Sequence, residues 1–149
     1  MTDKRILPPT ALVITIVMMT LLYFIFPIKK MLVFPVNAAG IGVLLVGALI
    51  SIRGSNKFVQ EKTTVMTFDT PTVLVIDGMY QYSRNPMYLG FVLVVFGIWM
   101  LVSCLSTLFV AISFFVLMDR YYIPFEENVL QKKFGTSYLA YKKRVRRWI

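Results

Sequence analysis

The sequence has no histidine and a single cysteine, Cys104. Without an imidazole there is no Ser-His-Asp or Cys-His relay. One thiol makes neither a disulfide framework nor the usual zinc ligand set, so no metal site is expected. Charge is scarce too: 15% of residues are Asp, Glu, Lys or Arg, against about 25% in an ordinary soluble domain. Acids are scarcest, 7 against 16 Lys and Arg, for a formal charge of +9. Such a balance suits nucleic acid or anionic lipid, and the placement of the charges has to decide.

Apolar side chains take up the difference, at 58% of 149 residues with mean hydropathy +0.72. A soluble chain this small has too much surface to hide them in one core. The expectation is an all-α integral membrane protein. Ile6–Ile28, Met31–Ile52 and Asn85–Met118 carry no charged residue and run for 23, 22 and 34 residues. A bilayer core needs about 20 helical residues. The first two stretches suit one span each, near 10–26 and 36–52. The third would reach about 51 Å as one helix, beyond what tilt absorbs. It suits a tight hairpin turning near Ser103–Ser106, with spans near 87–102 and 106–122.

Charge bias favours the same count. Four spans put 14 basic residues on one side and leave Lys29 and Lys30 opposite, whereas three spans split them 10 to 6. The positive-inside rule then makes both termini, a 53–86 loop and a 124–149 tail cytoplasmic, within a single membrane domain of residues 1–149. The single cysteine and short loops suit a prokaryotic inner or cell membrane. Lys4 and Arg5 before an apolar run resemble a signal peptide, but the run is too long for an h-region. No charge lies deep in a span, which argues against ion-coupled transport.

In the loop, Thr63–Phe68 and Thr72–Ile76 alternate as short extended segments, and Asp77-Gly78 is a turn signal. A small surface hairpin is expected there. Asn85 suits a helix N-cap and Pro86 the first helical position. Unpaired N–H groups beside Arg84 would then suit a carboxylate or phosphate. On local grounds alone the favoured reading is that Arg84 snorkels to lipid phosphates and Asn85-Pro86 merely starts a helix. Beyond the fourth span Pro124 should stop or kink the helix. A further helix then runs from Phe125 to Phe134, its acids Glu126 and Glu127 first and its lysines last, closed by Gly135. In a last helix Tyr138, Tyr141, Val145 and Trp148 share one side while Lys142, Lys143, Arg144, Arg146 and Arg147 dominate the rest. An interfacial helix drawn to anionic lipid is expected. Nucleic acid is not, because no recognition motif accompanies the basic residues. Gly40, Gly42 and Gly47 suit close helix packing.

Gly78-x-Tyr80, Arg84-Asn85-Pro86-Met87-Tyr88 opening a hydrophobic hairpin, Glu126-Glu127-x-x-Leu130, Phe134-Gly135 and Tyr138-x-x-Tyr141 follow one another in order. The pattern resembles the isoprenylcysteine carboxyl methyltransferase and phospholipid methyltransferase superfamily, in a small prokaryotic form, over roughly Thr63 to Arg147. The resemblance implies methyl transfer from S-adenosyl-L-methionine to a hydrophobic or lipid-like acceptor. Carboxylate, amine and thiol acceptors stay open, with a carboxylate weakly favoured over an amine because it needs no general base. It implies a cofactor site between the start of the third span and the paired glutamates. Arg84 and Glu127 are then the catalytic candidates. Tyr80, Tyr82, Arg84, Asn85, Pro86, Tyr88, Glu126, Glu127 and Leu130 are the cofactor-binding ones. Many relatives carry His at the position of Asn85. The alternative is a non-catalytic adaptor binding anionic lipid or a partner through the basic last helix.

Overall fold

The computed structural model describes residues 6–63 and 71–149. Its regular structure is helical: α1 (Pro8–Ile25), α2 (Ala39–Gln60), α3 (Pro86–Val102), α4 (Leu105–Leu117) and α5 (Ile123–Arg144). A 3-10 turn occupies Gly78–Gln81, and a π turn, Met118–Tyr122, carries α4 into α5. Among the described residues there is no strand, in keeping with the all-α expectation. Three helical stretches among them are long and apolar enough to cross a membrane: Pro8–Ile25, Ala39–Gln60 and the continuous Leu105–Arg144. α3 is apolar but has only 17 residues, about 26 Å of helix.

The outward faces explain the composition. Val13, Val17, Leu21 and Phe24 on α1, Ile41, Leu45 and Leu49 on α2, and Phe109, Ile112 and Val116 on α4 are all exposed. Such a surface is unfavourable in water and suits lipid, where a helix satisfies its own backbone hydrogen bonds. The inward faces meet in a core that includes Met19, Val95, Ala111, Phe114, Met118 and Ile123.

Glycine sets how α2 meets α3. Gly40, Gly47 and Gly54 recur at intervals of seven on α2, and Gly90 and Gly97 on α3. A Cβ on Gly47 would stand 2.7 Å from the Gly90 carbonyl oxygen, and one on Gly97 2.6 Å from the Leu44 nitrogen. The two backbones therefore touch, as small residues allow in apolar surroundings. Gly40 meets Gly97 while Gly54 meets Met87, so the helices are antiparallel. Gly42 takes no part, having nothing within 4 Å of where its Cβ would be.

α3 and α4 form the expected hairpin, turning at Ser103, whose φ of 56° is left-handed. The α1–α2 connection lies against this turn. The Met31 N–H donates to the Ser103 carbonyl at 2.7 Å and the Leu105 N–H to Ile28 at 3.0 Å. Cys104 packs here, buried and free.

Three expectations fail. Thr72–Ile76 forms no strand, and most of its supposed partner, 64–68, lies outside the described residues. The Thr72 N–H instead donates to Thr63 Oγ1 at 3.0 Å, and Val75 turns into a second small core with Tyr80, Tyr138, Tyr141 and Val145. Pro124 does not stop the chain. It sits in the first turn of α5, where a missing N–H is harmless, with the π turn before it. The break comes at Gly135, where φ is 50° and ψ −120°. Finally, α5 ends at Arg144, so Trp148 lies beyond it. Tyr138 and Tyr141 face protein and not a bilayer surface, packed with Val75 and Tyr80 in that second core.

Candidate functional site

Where α2, α3 and α5 converge, the residues described enclose a cavity of ≈ 540 Å³. Tyr80, Arg84, Asn85, Tyr88, Glu126, Glu127 and Leu130 line it, together with Tyr138 and Tyr141. The fold thus brings most of the residues singled out from the sequence around one space. Tyr82 is not among them, with 77% of its surface exposed. Pro86 is buried as the opening residue of α3 and does not line the cavity.

The start of α3 differs from its expected form. Asn85 stands at the N-cap but its side chain makes no cap hydrogen bond. Its Nδ2 donates instead to the Arg147 carbonyl at 3.0 Å, while its own N–H donates to Ser83 Oγ at 3.1 Å. The Arg84 N–H donates to the Arg146 carbonyl at 3.0 Å. The Asn85 side chain thus bonds the returning chain and not the first turn of its own helix.

Glu127 is buried among cations. Lys142 Nζ lies 3.2 Å and Arg147 Nη2 3.3 Å from its Oε2. Arg84 Nη1 lies 3.0 Å from Oε1. That last pair is close but not aligned for a hydrogen bond. Glu127 Oε1 and Arg84 Nε are left as buried polar atoms with no hydrogen-bond partner. An unsatisfied buried acceptor and donor typically cost about 1–3 kcal/mol each, a cost that a ligand carrying the complementary groups would remove. The neighbouring Glu126 accepts from the Tyr88 hydroxyl at 2.6 Å.

Tyrosines close the other side. The Tyr141 hydroxyl donates to the Tyr80 carbonyl at 2.7 Å, and Phe58 meets Tyr80 edge-on at 5.4 Å. Burial pushes the Tyr138 phenol up to about 12 and raises those of Tyr80 and Tyr141 as well. All three stay neutral at physiological pH and serve as walls and hydrogen-bond partners, not bases.

A family model for phospholipid methyltransferases matches residues 36–137. The chain belongs to the phospholipid methyltransferase family. Within the superfamily, it is 40% identical over 76 residues to "Protein-S-isoprenylcysteine O-methyltransferase B" of Arabidopsis thaliana. It is 38% identical over 74 residues to "Protein-S-isoprenylcysteine O-methyltransferase" of Schizosaccharomyces pombe. These stretches cover 48% and 49% of this chain but only 36% and 31% of the relatives. No solved structure matches.

Several cavity residues escaped the sequence reading. Ser51, Ser55 and Asn56 on α2 also line the cavity. Their signal was present, since two serines four apart at the charged end of an apolar helix share a face. Lys142 and Arg147, expected at anionic lipid, point to Glu127 instead. Lys143, Arg144 and Arg146 remain exposed.

Proposed function

We propose that this protein is an integral membrane methyltransferase that uses S-adenosyl-L-methionine and methylates a lipid-like acceptor, a carboxylate in preference to an amine. The observation that carries this reading is a pair of buried atoms without a hydrogen bond, Arg84 Nε and Glu127 Oε1, on residues that line a cavity of ≈ 540 Å³. A donor and an acceptor a few ångströms apart suit the carboxylate and the ammonium or ribose hydroxyls of that cofactor. The residues present therefore fit the group. When bound, it supplies an electrophilic methyl on a sulfonium.

Everything else is the chain's own work. Arg84 would hold the carboxylate, and Glu127 would take hydrogen bonds from the amino group or ribose. Tyr80, Tyr88 and Leu130 would fix the rest. Tyrosine faces also steady cations. Holding the reactants in line is worth about 7–11 kcal/mol, and apolar walls from Ile52, Met87 and Phe91 exclude water. Deprotonation is where the acceptor classes part. An amine must lose a proton first, yet the chain has no imidazole and the cavity phenols hold their protons. A carboxylate acceptor is already ionised and needs no base.

The setting we favour has four spans, with the short α3 as the third, the 53–86 loop and the 124–149 tail on the cytoplasmic side, and both termini there. α3 lies antiparallel between α2 and α4, which supports placing it at their depth. The exposed Lys143, Arg144 and Arg146 would rest on anionic lipid.

The test is transfer of labelled methyl from S-adenosyl-L-methionine into a lipid extract by purified protein. Label released as methanol in mild alkali indicates a methyl ester, the expected result. Alkali-stable label would make the acceptor an amine or a thiol, and no label in any fraction would overturn the enzymatic reading.

A further inference from the structure

After Arg144 the chain leaves the helix, with Val145 extended at φ −118° and ψ 132°, and returns across the start of α3. Its backbone fastens one wall of the cavity. The carbonyl of Arg146 takes the Arg84 N–H at 3.0 Å. The carbonyl of Arg147 takes Asn85 Nδ2 at 3.0 Å and Ser83 Oγ at 3.3 Å. The Arg147 side chain reaches the other wall, with Nη2 3.3 Å from Glu127 Oε2 and Nη1 3.3 Å from Asp119 Oδ1. Asp119 is further held by the Trp148 indole N–H at 3.0 Å, and that ring packs on Phe115 at 5.3 Å between centroids.

One residue thus spans both walls, and the consequence falls on Glu127. Arg147 and Lys142 together occupy Oε2, which leaves Oε1 as the oxygen without a hydrogen bond, on the side of Arg84. A carboxylate buried to 7% side-chain exposure cannot swap its oxygens without breaking charge-assisted contacts, which are the strong ones. We propose that Arg147, anchored by Asp119 and Trp148, is a positioning residue that turns Glu127 Oε1 toward the ligand and fixes Asn85 on the facing wall, beside the Arg84 that the Arg146 carbonyl holds. This rests on the reading of the cavity as a cofactor site.

The experiment compares wild type with Arg147→Met, Arg147→Lys and Asp119→Asn in detergent. It reads S-adenosylhomocysteine affinity by calorimetry, melting temperature, and hydrogen exchange at Arg84 and Asn85 without ligand. Arg147→Met should weaken binding about 10- to 100-fold, the worth of a charge-assisted hydrogen bond, and speed exchange at those two amides. Asp119→Asn leaves Arg147 without its anchoring charge and should reproduce part of both effects, even if Arg147→Met fails to fold. Arg147→Lys keeps the charge on Glu127 and should recover most of the affinity. Wild-type affinity and unchanged exchange in the Met and Asn variants would overturn the positioning role and leave the cofactor reading standing. Melting temperature and affinity falling together, with no rescue by Lys, would reduce Arg147 to a structural residue and overturn it as well. Folded wild-type protein that binds no S-adenosylhomocysteine would overturn both.

Discussion

Replacing Gly90 with alanine puts a methyl group between α2 and α3. Its Cβ would lie 2.5 Å from the Gly47 carbonyl oxygen and 2.6 Å from the Ser51 nitrogen. Both are backbone atoms of a packed helix and cannot swing aside, so the helices must part by roughly an ångström to reach ordinary contact. Overpacking of this kind costs about 1–3 kcal/mol and sometimes more. The same substitution at Gly42 meets nothing within 4 Å. There alanine should stabilise by about 0.5–1 kcal/mol, because glycine is the poorer helix former. At about 2–4 °C per kcal/mol for a chain of this size, the two variants should melt roughly 3–16 °C apart in the same detergent. Gly90→Ala should also weaken ligand binding, since Ser51 lines the cavity. Equal melting temperatures for Gly90→Ala and Gly42→Ala would refute close backbone contact as the basis of the α2–α3 pair.

Tyr141→Phe removes the hydroxyl that holds the Tyr80 carbonyl; a destabilisation of about 1 kcal/mol is expected, read from detergent melting. Tyr138 keeps its proton to about 12 in the folded protein, against about 10 unfolded. The folded state thus binds that proton more tightly. Its contribution is fully present below about pH 10 and is lost as pH rises toward 12, by about 3 kcal/mol. Melting profiles from pH 9 to 12 should be less steep in Tyr138→Phe. Neutralising Lys143, Arg144 and Arg146 together should weaken binding to vesicles rich in anionic lipid by about 1 kcal/mol per residue, measured by co-sedimentation, and leave neutral vesicles unaffected.

The break inside the third apolar stretch was legible because 34 uncharged residues are too many for one span, and α3 and α4 do turn at Ser103 within it. Gly40 and Gly47 read correctly as packing residues, but the heptad that continues to Gly54 went unread, and only the partner helix shows that Gly42 points away. The cavity's composition was legible in part, since Arg84-Asn85-Pro86 and Glu126-Glu127 announce themselves by order. What sequence could not tell was how side chains would be shared out. Asn85 reads as a cap until a distant carbonyl competes for it. Arg147 reads as a lipid contact until Asp119 and Glu127 are found on either side of its guanidinium. Thr72–Ile76 alternates like a strand, yet Val75 is buried in a core with Tyr80, Tyr138, Tyr141 and Val145. Each miss is a long-range contact overriding a local preference.

Calorimetric binding of S-adenosyl-L-methionine to the detergent-purified protein, with Glu127→Gln measured beside it, tests the central claim most directly. Saturable binding to wild type, weakened at least 10-fold in a folded Glu127→Gln variant, is the predicted result. Binding that ignores the substitution, or no binding to folded wild-type protein even with lipid added, would contradict it.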